Sequence, residues 1–293
     1  MKLNLKKHDR ICFLGDSITA DGKWIAEIFD FFVENYPELK ICMYNCGIGS
    51  TRGYDIDFKN RLYREWLNLF PAYSVIMFGM NDKNYSKVLE ESLAKYHETL
   101  NDLAEKAKSV GSVPIICSPT PYDEYNDGPN PIIEGNEVQL VEFTKAAEAF
   151  AEENGYLYVD MRTVLMECME DRPVSIDRVH MDPYGNHLMA QSFLYAIGAI
   201  DVIDTDGTYE MSDKNKARYD VEQILRECMF IEKYWHRDLD GVTVEERKKW
   251  IENYMTEDKP DWEKKIQVTF NENAEFLDET RGELIKRTLG MYK

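Results

Sequence analysis

Four side chains carry the combination of types that acyl-transfer chemistry needs: Ser17, Asn81, Asp177 and His180. A serine hydroxyl becomes a nucleophile when a histidine takes its proton. A carboxylate orients that histidine, and hydrogen-bond donors receive the charge that develops on the carbonyl oxygen. Ser17 lies in FLGDSITADGKW, where an apolar run ends and a helical pattern begins. Taken alone, this window reads as a helix start, with Ser17, Thr19 or Asp21 capping a helix near Gly22. The remaining groups lie far along the chain. Asn81 stands in GMND, and Asp177 and His180 stand three apart in DRVHMDPYGNH, close enough for one turn to join carboxylate and imidazole.

These residues need a scaffold, and the periodicity supplies one. RICFLG (10–15), KICMYNC (40–46), YSVIMFG (73–79), VPIICS (113–118) and YLYVD (156–160) are short apolar runs suited to strands buried on both faces. Amphipathic stretches at 23–36, 86–110 and 136–155 separate them, and GNHLMAQSFLYAIGA (185–199) follows the histidine loop. This alternation predicts an open α/β sheet with helices on both faces, whose working site lies beyond the carboxyl ends of the strands. The polar clusters GDS, GIGSTRG, GMND and SPTPYDEY all fall at such ends. A helix N-terminus at Ser17, the turn NCGIGSTRG (45–53) and the Asn81 amide are then the candidate oxyanion donors.

The four ordered blocks FLGDSIT (13–19), YNCGIGSTRG (44–53), MFGMND (77–82) and DRVH (177–180) resemble the GDSL esterases and lipases, or SGNH hydrolases. The resemblance spans about residues 9–200. It implies a flavodoxin-like three-layer α/β/α sandwich with a mainly parallel five-stranded sheet, and ester hydrolysis without a metal or other cofactor. By position it makes Ser17 the nucleophile and an oxyanion donor, Asn81 a second donor, His180 the base and Asp177 its partner. The second block departs from the family pattern. The family places a glycine five residues after its asparagine; here that position is Ser50, and Gly49 comes one place early. Gly49 is the assigned backbone donor and Ser50 the alternative. No GxSxG elbow is present, which argues against the α/β-hydrolase fold.

Other readings compete for the same residues. Asp16, Asn81, Asp82 and His180 would suit a metal-dependent phosphohydrolase, and a sugar- or acyl-binding module could use the same fold without chemistry. Asp16 and Asp82 read better as turn-stabilising residues, Asp182 as a helix-start residue, His187 as a helix-face histidine, and Arg52 as solvated or salt-bridged. GIGSTRG is one residue off the dinucleotide fingerprint and follows the second strand.

The chain has 293 residues, 44% of them hydrophobic, and a formal net charge of -19. That charge disfavours nucleic acid and anionic membrane surfaces as partners and favours a small, neutral ester. The N-terminus lacks a secretory apolar segment, no run is long enough to span a bilayer, and the cysteines are scattered singly, so a cytoplasmic, reduced protein is expected. Residues 1–205 are expected to form the α/β domain. Residues 206–293, with candidate helices at 213–235, 243–256 and 272–290, form a helical extension that packs on the body or makes a homodimer surface. The loop 120–136, with Tyr122 and Tyr125, is expected to line the mouth of the site and offer aromatic faces to sugars.

Overall fold

The computed structural model describes residues 2–55, 66–83, 89–126, 128, 131–216, 219–223 and 243. Five parallel strands form one sheet: β1 (Arg10–Gly15), β2 (Cys42–Asn45), β3 (Tyr73–Met77), β4 (Val113–Cys117) and β5 (Leu157–Val159). Their order is β2-β1-β3-β4-β5. This is the flavodoxin-like order, and it places the topological switch between β1 and β3. There Gly15 pairs with Met77, so the chain leaves both strands side by side, toward Ser17 on one and Asn81 on the other.

Strand alternation divides the core in two. Ile11 and Phe13 of β1 join one cluster with α2 (Lys23–Asn35), α5 (Thr163–Met169) and α6 (Pro183–Ala196). Cys12 and Leu14 join the other, with α3 (Leu89–Ser109) and α4 (Asn136–Asn154). Both faces of the sheet are therefore covered, which is why each strand is a nearly unbroken apolar run. On α2, Trp24, Ile25, Ile28, Phe29 and Phe32 recur at helical spacing and are buried. Trp24 meets Phe13 edge-on at 5.3 Å and Phe193 at 6.3 Å, tying β1, α2 and α6 together. Such aromatic pairs each contribute about 0.5–1.5 kcal/mol beyond burial.

The predicted strands and helices appear within a few residues of their expected limits. Helix α6 begins at Pro183 instead of residue 185, because Asp182 caps it by accepting from the Gly185 N–H. The expected caps near Gly22 are corrected. A five-residue helix, α1 (Ser17–Asp21), starts at Ser17 itself, and Asp16 is its cap, accepting from the Ile18 N–H at 2.9 Å. Gly22 then ends α1 in the left-handed region and starts α2 without a side-chain cap. Asp21 instead pairs with Lys23 at 2.9 Å, and Thr19 is buried.

The five described cysteines are free thiols. No helix among the described residues is long and apolar enough to cross a membrane. Of the extension, residues 213–216 and 219–223 are described and helical. Asn215 donates to Asp30 at 2.5 Å and Glu34 at 2.6 Å on α2, and the Tyr219 ring lies 5.5 Å from that of Phe29. Gln223 occupies the free edge of β2. Its carbonyl accepts from the Asn45 N–H at 3.1 Å and its amide donates to the Met43 carbonyl at 2.9 Å. One side chain thus supplies the pairing that a further strand would have made. Apart from Thr243, the candidate helices at 243–256 and 272–290, and most of the one at 213–235, lie outside the described residues.

Candidate active site

Ser17 is the first residue of α1, directly after the N-cap. Its N–H therefore has no helical acceptor. Its Oγ lies 2.8 Å from His180 Nε2, although 163 positions separate the two residues. His180 Nδ1 lies 2.7 Å from Asp177 Oδ2. The three side chains form one hydrogen-bonded line at the carboxyl edge of the sheet.

The 174–182 segment shapes the far end of that line. The Ile176 N–H donates to the His180 carbonyl and the Asp182 N–H to the Val174 carbonyl, closing a narrow loop around residues 177–179. Asp177 Oδ1 accepts from the Val179 N–H at 3.1 Å and the His180 N–H at 2.7 Å, leaving Oδ2 for the imidazole. Partial burial pushes the Asp177 carboxyl upward. The bonds from the His180 N–H, the His180 ring and the Val179 N–H outweigh it, so the group titrates below its ordinary value.

Asn81 and the 45–53 turn meet at the same edge. Asn81 Nδ2 donates to the Thr51 carbonyl at 3.0 Å and keeps a second hydrogen. Gly79 makes this turn possible: its φ is +128°, and a Cβ there would sit 2.9 Å from Pro119. Asp82 holds the two loops together, accepting from Gly53 at 2.9 Å and Gly79 at 3.1 Å. The 45–53 turn rests on α1, because the Gly47 backbone leaves no room for a Cβ beside the Ala20 nitrogen, 2.4 Å away.

Within the turn the N–H groups sort themselves. Those of Gly47, Ile48, Thr51 and Gly53 bond to Asn45 Oδ1, the Gly15 carbonyl, the Ile48 carbonyl and Asp82 Oδ1. Those of Gly49, Ser50 and Arg52 have no acceptor among the described residues. Ser50 is left-handed, with a φ of 59°. Arg52 is salt-bridged to Asp55 at 2.6 Å, as its default reading expects.

Three buried titratable groups lie beneath. Burial pushes the Asp16 carboxyl up to about 6 against the Ile18 N–H and the charges of His180 and Lys83. Burial pushes Asp82 up to about 7 despite its two backbone donors. Burial also lowers the Lys83 amine to about 7, against the nearby Asp16. Asp16 and Asp82 thus spend their oxygens on turns, as their structural reading expects. No group of three or more metal-ligating His, Cys, Asp or Glu occurs among the described residues.

Tyr122 is only 2% exposed, and its hydroxyl is bound to the 131–133 backbone, so it offers no face to a ligand; Tyr125 is 57% exposed. Asn186 escaped notice because nothing local marks it. It accepts from the Trp24 N–H at 3.2 Å and donates to Asp21 and to the carbonyls of Met181 and Asp182. That places it between the segment carrying Ser17 and the segment carrying His180. His187, the expected helix-face histidine, is buried against Glu27 at 2.7 Å.

A family profile described as GDSL-like Lipase/Acylhydrolase matches residues 11–193, more than half of the chain. The chain belongs to this family. It is a hydrolase of ester bonds, and similar solved structures agree with that. One is the acetylxylan esterase Axe2 from Geobacillus stearothermophilus, 25% identical, with a TM-score of 0.57 over 67% of this chain and 97% of that one. Another is a protein of Parabacteroides merdae described as a GDSL-like lipase, 25% identical, with a TM-score of 0.58 over 68% of this chain and 100% of that one. No curated sequence matches the chain.

Proposed function

We propose that this family member is a serine esterase that hydrolyses short acyl or O-acetyl carbohydrate esters through an acyl-enzyme. The hydrogen-bonded line Ser17–His180–Asp177 carries the reading. With the imidazole proton on Nδ1, held by Asp177, Nε2 is free to take the Ser17 proton as Oγ attacks the ester carbonyl. The oxyanion receives hydrogen bonds from the Ser17 N–H, the Gly49 N–H (with Ser50 as the alternative) and the free hydrogen of Asn81 Nδ2. His180 returns its proton to the departing alcohol. A water, deprotonated by His180, then releases the acid.

Support for the roles also comes from Axe2. Its solved structures include catalytic mutants at a serine, at an aspartate and at a histidine three residues beyond that aspartate, the spacing of Asp177 and His180. Support for the substrate class comes from Axe2 being an acetyl-xylooligosaccharide esterase, and from the acidic composition, which suits a neutral substrate. A small-molecule ester is the only partner required. The reading keeps residues 206–293 as a helical extension that packs on the body or forms a dimer surface; among its described residues Asn215, Tyr219 and Gln223 contact α2 and β2.

The test is a panel of esters from acetyl to long acyl, including O-acetylated sugars, on the native protein and on Ser17→Ala. Ser17→Ala is expected to abolish turnover while circular dichroism shows the fold intact, and acetyl esters are expected to lead the panel. Activity retained in Ser17→Ala overturns the serine mechanism; a preference for long acyl chains overturns the substrate class.

A further inference from the structure

Between Asp177 and His180 stands Arg178, with a φ of +76°. Outside glycine and, less often, asparagine or aspartate, residues avoid this region, because Cβ crowds the backbone. Here the left-handed turn lets the chain double back, so that one carboxylate can reach two successive N–H groups and the imidazole. A strained conformation persists only where its surroundings over-determine it.

Those surroundings come from the loop after β4. Arg178 is 6% exposed. Its carbonyl accepts from the Asp123 N–H at 2.9 Å, and its guanidinium donates to the carbonyls of Asp123 and Glu124, each at 3.2 Å. Its own N–H donates to Ser175 Oγ at 3.1 Å. Ser175 Oγ donates in turn to Asp123 Oδ2 at 2.9 Å and accepts from Asn126 Nδ2 at 2.9 Å, so its one donor and two acceptor sites are filled. Asp123, fully buried, spends Oδ1 on the N–H groups of Tyr125 and Asn126. Backbone and side chain of Arg178 are therefore held together by one buried polar network.

We propose that Asp123, Ser175 and Arg178 form a positioning clamp that fixes the left-handed backbone at residue 178 and thereby aims Asp177 and His180 at Ser17. The inference rests on the serine-esterase reading for its effect on turnover, though not for its effect on the Asp177–His180 pair. None of the three residues touches the reacting atoms. They act through the backbone, and the alanine and glycine variants of Arg178 separate that action from simple loss of contacts. Arg178→Ala removes the guanidinium and keeps the Cβ penalty. Arg178→Gly also removes the guanidinium but adopts a φ of +76° without help.

Arg178→Ala is expected to lower kcat on the order of tenfold to a hundredfold at unchanged KM, as a small misplacement of a catalytic group does. It is also expected to lose the downfield proton resonance of His180 Nδ1–H. Arg178→Gly is expected to keep that resonance and to stay within a few-fold of native kcat. A native kcat and resonance in Arg178→Ala overturn the proposal, and so do equal losses in the two variants. If Arg178→Ala fails to fold, Ser175→Ala takes its place. It is expected to lower kcat in the native background and to have little further effect in the Arg178→Gly background; equal effects in both overturn the clamp. The resonance is measured without substrate, so it tests the clamp even if Ser17→Ala has already refuted the serine mechanism.

Discussion

Asp177 grips His180 twice: Oδ1 takes its backbone N–H and Oδ2 its ring nitrogen, both at 2.7 Å. The first contact fixes where the histidine starts, and the second fixes how its ring turns. Asp177→Asn keeps the first and spoils the second. An Nδ2 hydrogen would face Nδ1, so the imidazole would carry its proton on Nε2, toward Ser17. kcat is expected to fall by about 10³–10⁴-fold with the fold unchanged. Steady-state kinetics on an acetyl ester checks this, and a loss of only a few-fold would contradict the assigned role.

Gly47 and Gly49 should part company on substitution. A Cβ at Gly47 would meet the Ala20 backbone nitrogen at 2.4 Å and push on the helix that begins with Ser17. Gly49 has nothing within 4 Å of its Cβ position, and its φ lies outside the left-handed range. Gly47→Ala is therefore expected to lower both melting temperature and kcat, and Gly49→Ala to leave both near native. A backbone donor survives alanine, so a native Gly49→Ala is compatible with oxyanion binding at that N–H.

Removing the Asn81 amide should act on the transition state. Asn81→Ala is expected to cost about 10²–10³-fold in kcat with little change in KM, the usual loss for one oxyanion donor. Asn81→Asp keeps the shape but loses the donors and sets a carboxylate beside the oxyanion, so its loss should be at least as large as that of the alanine variant. A rise in KM alone would make Asn81 a substrate-binding residue instead.

Lys83 is wholly buried, and its amine titrates near 7 when folded against an ordinary value of 10.5. Between those values the unfolded chain holds a proton that the folded chain has released. Lys83 therefore makes the folded state more stable as pH rises from about 7 to about 10.5, and below about 7, where both states hold the proton, its destabilising effect is full and no longer changes with pH. Lys83→Met, of similar length and uncharged, is expected to flatten that limb and raise stability at neutral pH by on the order of a few kcal/mol. Urea melts at pH 7 and pH 9.5 check it. An unchanged slope would mean that Lys83 stays charged when folded.

Much of this is legible in the sequence. β1 spans the very residues of RICFLG, since a strand buried on both faces needs an unbroken apolar run. The Asp177–His180 contact was legible because it spans three residues. What escaped was of two kinds. Asp16 displaced Ser17, Thr19 and Asp21 as the cap because α1 begins six residues earlier than the amphipathic pattern at 23 does, and so short a helix has no periodicity to read. Tyr122 looked like a binding face because composition cannot distinguish an aromatic ring turned outward from one packed under its own loop.

The sequence alone determined the layered α/β body, the carboxyl-edge location of the polar turns and the residue types required for acyl transfer. These follow from period, order and local spacing. Only the tertiary structure decided that Ser17 Oγ meets His180 Nε2, that Asn186 joins their two segments, and that Arg178 is held left-handed by Asp123 and Ser175. Apart from the local Arg178–Ser175 bond, those contacts span dozens to well over a hundred positions. They depend on strand order and on the packing of α6 against α2, which no local pattern encodes.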